Sequence, residues 1–189
     1  GYAQLPGGPS ISDGVVVDYT RFGNIGTAAW ASFTIRTTTH EIGHWLNLNH
    51  IWGNNIKETS NCGDDYCDDT PTESSSTYGT PTFPYNTYSA CNSGANGEMF
   101  MNYMDYTDGS CQNMFSVGQN VRIQATINST TNSRNNLWTS ANLIATGTND
   151  GYVAPLCIAK ADFARNQEVC TGITVQYKDG SYRGDASAW

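Results

Sequence analysis

Apolar positions recur at helical spacing in two places. Ile35, Ile42, Trp45, Leu46 and Leu48 predict a helix from Phe33 or Thr34 to Leu46 with one buried face. Val117, Val121, Ile123 and Ile127 predict a second helix from Ser116 to Asn128, and Ser116 with Gln119 forms a capping box at its start. Elsewhere the period shortens to two. Val15 to Tyr19 reads as a strand. Alternation over Ile158 to Phe163 and Gly172 to Tyr177 predicts two more strands.

The intervening stretches carry little periodicity. Residues 1–10 are rich in Gly and Pro and predict an irregular lead-in, and residues 23–27 predict a loop. Residues 53–96 are long, polar and short of helix signals, and 129–154 are polar apart from Leu143-Ile144. The pattern predicts an α+β chain: a main domain over residues 1–154, then a short β-rich piece over 155–189. The first helix contains Thr37-Thr38-Thr39, a poor helix-forming run, so tertiary packing must hold it. Arg36, one turn before His40, reads as structural.

That helix carries the chemistry. All three histidines of the chain lie within eleven residues, at His40, His44 and His50. Residues four apart share a helix face, so His40 and His44 can reach one metal ion. Glu41 follows the first ligand and points off the His–His face, where it would touch a water on the metal without filling the coordination shell. A continuous helix would carry His50 about 600° beyond His44, so the helix must end between them. Asn47 is the expected exit, because Asn tolerates the left-handed backbone that an abrupt exit needs. Three histidines and a water make an open, catalytic zinc site.

Composition narrows the remainder. At 189 residues the chain can bury a core, and its net charge of −8 with 14% charged residues argues against nucleic-acid partners and anionic membrane surfaces. No apolar run approaches the ~18 residues of a membrane span. Six cysteines fit three disulfides in an oxidising compartment, and Cys157 with Cys170 is the natural local pair. Plentiful Asn, Ser, Thr and Gly with scarce Lys suit a secreted protein. The chain begins with Gly1 and reads as a processed piece. Asn128-Ser129-Thr130 is a glycosylation sequon in a eukaryotic host.

Asp64, Asp65, Asp68 and Asp69 fall within six positions, followed by Thr70. Such a loop either binds one or two calcium ions through carboxylate and Thr70 oxygens or is a solvated acidic loop. Met99 to Tyr106 is a Met and aromatic cluster, by itself core-forming.

HEIGHWLNLNHIWG, CGDDYCDDTP and MFMNYMDYTDGSCQNMFSVGQ, in that order, resemble the pappalysin family of metzincin zinc endopeptidases over about Asp13 to Ile127. One position departs, since Asn47 stands where the metzincin motif has Gly. The resemblance implies a zincin catalytic domain with a zinc helix, a Met-turn and a C-terminal helix. It implies a secreted endopeptidase that hydrolyses protein substrates by Glu-assisted attack of a zinc-bound water. Zinc would sit on His40, His44 and His50, with Glu41 as general base and then acid. Met104 would be the Met-turn residue, and Tyr106 would hydrogen-bond the oxyanion. Structural calcium near the acidic loop and the disulfides Cys62–Cys91 and Cys67–Cys111 are implied in the same way.

Two departures carry expectations. Arg- and Lys-cleaving members have an Asp-Asp pair after the Met-turn, the second Asp lying in the specificity pocket. Here the pair is Asp108-Gly109, which predicts a weakened Arg preference. The family's upper subdomain begins well upstream of Asp13, so the upper sheet is expected to be incomplete. The C-terminal piece resembles the opening of a PKD-type β-sandwich module through Ala161-Asp162-Phe163, Val169 to Gly172 and Val175 to Ser181. The alternative function is a non-catalytic, zinc- and calcium-stabilised protease remnant or binding module.

Overall fold

The computed structural model describes residues 1–23, 25–30, 35–53, 62–86, 91, 94–149, 163–165 and 177–179. The chain divides into two units, Gly1–Thr139 and Ser140–Trp189, so the boundary expected at 154/155 falls inside the second.

The first unit opens with a two-stranded antiparallel ribbon of β1 (Tyr2–Ala3) and β2 (Val15–Val16), Tyr2 facing Val16. The lead-in expected to be irregular thus supplies a strand. Glycine and proline lie in its turn, where Gly7 takes φ +98°. The strand expected over Val15 to Tyr19 stops early. Asp18 accepts hydrogen bonds from the Thr20 amide and hydroxyl at 2.8 and 2.7 Å and caps a 3-10 turn at Tyr19–Arg21. A second 3-10 turn, Gly26–Trp30, occupies part of the expected 23–27 loop.

Helix α1 spans Thr37–Trp45, starting later than its apolar spacing predicts. Ile35 and Arg36 form a turn against Gly109, where an added Cβ would lie 2.7 Å from Ile35 Cγ1. Of the expected apolar set Leu48 is buried in the core and Ile42 is 43% exposed. The buried positions of α1 itself are His40, Glu41 and Gly43, because that side of the helix faces the histidine site.

Helix α2 spans Val117–Ile127 behind the Ser116 cap, with both hydrogen bonds of the capping box formed. Val117 and Val121, expected in its buried set, face outward, and Ile123 packs on the core. Gln119 and Thr126 are the buried residues of α2. Gln119 is inside because two elements need it: it accepts from Asn102 Nδ2 at 2.8 Å and donates to Asp65 Oδ2 at 3.0 Å.

The core lies beneath the exit of α1. Leu48, Ile51, Trp52 and Met104 form it, with Met99, Phe115 and Ile123 packed alongside. The turn bearing Met104 is closed by Asn102, whose side-chain oxygen accepts the Met104 amide at 2.9 Å. Cys62 and Cys91 are joined by a disulfide.

The expected Cys67–Cys111 bridge is corrected, since both carry free thiols. Each is anchored to different neighbours. The Cys67 amide donates to Asp65 in the acidic loop, whereas the Cys111 amide closes a turn on Asp108 O. Burial first, then the Asp65 carboxylate, pushes the Cys67 thiol up to about 11.

In the second unit, helix α3 (Ser140–Thr146) contains the apolar Leu143-Ile144 patch. Strands β3 (Phe163–Arg165) and β4 (Tyr177–Asp179) pair antiparallel, Ala164 facing Lys178. The rest of the expected PKD-like piece, with Cys157 and Cys170, lies outside the described residues. No described helix is long and apolar enough to cross a membrane.

Candidate metal centre

The ending of α1 builds the site. Trp45 is the last helical residue, and Asn47 takes φ +74°. The Leu48 amide returns to Gly43 O at 2.9 Å and the Asn47 amide to His44 O at 2.8 Å, a Schellman closure that reverses the chain. The reversal brings His50 back to His40 and His44.

The three Nε2 atoms are 3.2 Å (His40–His50), 3.1 Å (His40–His44) and 3.0 Å (His44–His50) apart. Two ligands on a tetrahedral zinc at about 2.05 Å would be about 3.3 Å apart. His40 Nδ1 meets Tyr103 O at 2.7 Å and His44 Nδ1 meets Leu48 O at 2.8 Å. A carbonyl only accepts, so each of these rings carries its proton on Nδ1 and turns a lone pair inward at Nε2. Lone pairs facing one another at this distance repel unless a cation lies among them, so the donor set fits a zinc ion. Burial first, and then the His44 ring, pushes His40 down to about 4. Burial and both neighbouring histidines push His50 to about 3. Both rings are therefore neutral, as ligation requires. Among the described residues this is the one cluster of three metal-ligating side chains within 4.8 Å.

Other groups gather on the same centre. Trp52 stacks on the His50 ring at 4.3 Å and 7°. Tyr106 lies edge-on to His50 at 5.0 Å and 5.5 Å from His40. Burial, then Tyr78, pushes the Tyr106 phenol up, so it remains a donor. Burial likewise raises Glu41, partly offset by the Gly1 amino group 3.7 Å away. His40, Glu41, Tyr106 and Asp108 line a cavity of about 430 Å³. Met104 is fully buried beneath α1, its sulfur against Gly43.

Gly109 is buried against Ile35 and Arg36 and does not line that cavity. Nor do Asp64, Asp65, Asp68 and Asp69 converge. Asp65 accepts from Cys67, Thr70 and Gln119, and Asp69 from Ser116 Oγ and the Gly118 amide at 2.7 and 2.8 Å. The Gly118 amide, first among these, holds the Asp69 carboxyl below the usual range. A second cavity, about 520 Å³, lies by Asp68, Asp69 and Thr70 and contains none of the histidine groups.

Sequence reasoning missed several supporting residues. Trp52 had a signal in its position two after His50. Asp13 and Arg134 had none, since they pair across 121 residues, whereas Asn102 had one in its position two before Met104, where an Asn closes a turn with its own side chain. It also missed a buried acidic group of Glu73, Glu98 and Asp105, exposed by 1%, 3% and 1%. Burial first, then Asp105, pushes Glu73 up to about 9. Burial pushes Asp105 up to about 7.

Comparison with known proteins places the arrangement. The Peptidase_M43 family model, described as pregnancy-associated plasma protein-A, matches residues 12–128. An extracellular metalloprotease of Colletotrichum graminicola is 40% identical over 91 residues, 47% of this chain and 30% of that protein. One from Verticillium alfalfae is 33% identical over 133 residues, 66% of this chain and 43% of that protein. Mature mirolysin of Tannerella forsythia, solved in complex with a cleaved peptide, superposes with TM-score 0.63 and 38% identity. The match covers 75% of this chain and 52% of that one. The chain thus spans less than half the length of these two curated relatives and about half of mirolysin.

Proposed function

The chain belongs to the Peptidase_M43 family, and from that premise we propose that it is the site-bearing part of a secreted zinc endopeptidase acting on proteins or peptides. One observation carries the reading: three inward Nε2 atoms at tetrahedral spacing, with Glu41 and Tyr106 beside them. The extracellular relatives and the cleaved peptide bound to mirolysin support both the location and the substrate class.

His40, His44 and His50 would hold zinc, which when bound supplies Lewis acidity to a water and to the scissile carbonyl. Glu41 takes the proton of the attacking water on its carboxylate, and its burial-raised proton affinity suits it to keep that proton. It then delivers the proton to the leaving amine. The Tyr106 hydroxyl donates to the oxygen on which charge develops. Met104 is the floor residue of the site and Asn47 the helix exit. Asp108 is assigned to the specificity wall. A weakened Arg preference is proposed from the Asp108-Gly109 pair in the sequence alone, since Gly109 does not line the cavity that Asp108 lines. A structural calcium at the acidic loop rests on the density of its carboxylates. An unchanged melting temperature with a calcium-selective chelator would retire it.

The test combines metal analysis with a fluorogenic-casein assay on the chain and on Glu41→Gln. The expected result is one zinc per chain in both, with chelator-sensitive cleavage lost in Glu41→Gln. Undiminished cleavage by Glu41→Gln would refute the role given to Glu41. Zinc without cleavage in the parent would favour a non-catalytic binding module.

A further inference from the structure

The zinc-helix exit leaves carbonyls that its own backbone does not satisfy. The Schellman closure satisfies Gly43 O and His44 O, but the carbonyls of Trp45, Asn47 and Leu48 point out of the reversal. Leu48 O is taken by the His44 ring. The other two are taken by arginines from elsewhere in the chain. Arg122 Nε, on α2, donates to Asn47 O at 2.6 Å, and Arg134 Nε donates to Trp45 O at 3.3 Å.

Arg134 is held for this task. It is 1% exposed. Its guanidinium forms a bidentate pair with Asp13, Nη2–Oδ1 at 2.6 Å and Nη1–Oδ2 at 2.7 Å, and lies 3.8 Å over the Trp45 ring. Trp45 Nε1 completes the triangle by donating to Asp13 Oδ1 at 2.9 Å. The Arg134 hydrogen bond, the largest influence, keeps the Asp13 carboxyl below the usual range, so the pair is charged. Two cations at a helix C-terminus also complement its dipole. Arg134 lies beyond residues 12–128, the span of the family match.

We infer that Arg134 and Arg122 are positioning residues for the metal centre: by clamping the carbonyls of the turn between His44 and His50, they set the third ligand against the first two. The inference rests on the zinc reading above. Zinc affinity and ligand geometry then depend on two side chains that touch neither metal nor substrate.

The experiment measures zinc dissociation constants by competition with a chromophoric chelator, and visible spectra of the cobalt-substituted protein, for the full chain, Arg134→Met and Arg122→Gln. An Asp18→Ala variant, which removes the side-chain cap of the Tyr19–Arg21 turn, serves as control. The expected outcome is zinc affinity weakened about 10- to 100-fold in the arginine variants, the usual range for groups that orient metal ligands. Shifted cobalt bands accompany it, and the control shows neither change. Folded arginine variants with parental zinc affinity and cobalt spectrum overturn the inference while leaving the zinc site intact. Should Arg134→Met not fold, Arg122→Gln decides alone. A parent chain that binds no zinc overturns the underlying reading and the inference together.

Discussion

Gly43→Ala sets two opposed effects against each other, and the structure decides between them. Alanine in a helix interior is favoured over glycine by about 1 kcal/mol, so propensity alone predicts a gain. An added Cβ at this position would lie 2.5 Å from Met104 Sδ, 3.4 Å from Met104 Cε and 3.5 Å from Leu48 Cδ1. Comfortable separations begin near about 3.5 Å, so the sulfur contact is short by about 1 Å. A thioether at the surface would swing away. Met104 is 0% exposed and packed against Leu48, Ile51 and Trp52, so it moves only by displacing them. Overpacking of this kind costs about 1–3 kcal/mol, which exceeds the propensity gain. The expected net loss is up to about 2 kcal/mol in urea unfolding of the metal-free protein, with weaker zinc binding. A double-mutant cycle isolates the contact. Met104→Ala alone costs about 2–5 kcal/mol through the cavity it leaves, and less by at least about 1 kcal/mol when the methyl introduced by Gly43→Ala fills part of that space. A Gly43→Ala protein more stable than its parent, and additive with Met104→Ala, would refute the claim that glycine is there to admit the sulfur.

Glu73 and Asp105 bind protons more tightly when folded, up to about 9 and about 7 from ordinary values of 4.5 and 3.8. Their contribution is complete below those ordinary values and is lost as pH rises, up to about 7 for Asp105 and about 9 for Glu73, at up to about 1.4 kcal/mol per pH unit for each group within its own window. Glu73→Gln should flatten that slope and gain on its parent between pH 5 and 9 in urea titrations, and parallel curves would reject the assignment. Breaking Cys62–Cys91, which closes a separation of 29 residues, should cost about 3–4 kcal/mol on the chain-entropy account, readable as a lowered urea midpoint. Gly109→Asp should lower the melting temperature, because its Cβ meets Ile35 and Arg36, and should bring no Arg preference in a peptide library. A selective gain of cleavage before Arg would show that the pocket admits the carboxylate.

What was legible in the sequence was local. Two histidines four apart, an Asn able to take φ +74°, and a Ser–Gln cap each act within a few residues, where spacing and backbone preference suffice. The faces of the helices were not legible. Ile42 and Val121 look like core residues by period, but α1 turns its polar side to the histidines, and α2 buries Gln119 to satisfy Asn102 and Asp65. Distance in sequence hid the rest. Arg134 and Asp13 are 121 residues apart, and no pattern near either announces the pair. Cys67 and Cys111 show the converse: an even cysteine count suggests pairing, yet each follows the turn that holds it.

The buried Gln119 has a consequence for how the protein opens. Its side chain joins three pieces: the N-terminal cap of α2 through the Ser116 amide at 2.9 Å, the acidic loop through Asp65, and the Met104 turn through Asn102. None of the three can separate from α2 without stranding a buried amide or carboxylate. The amides of Cys67, Met104 and Gln119 should therefore exchange with deuterium as one cooperative block, with a common opening free energy. The floor of the metal centre would then melt together with the cap of a helix that contributes no ligand to it.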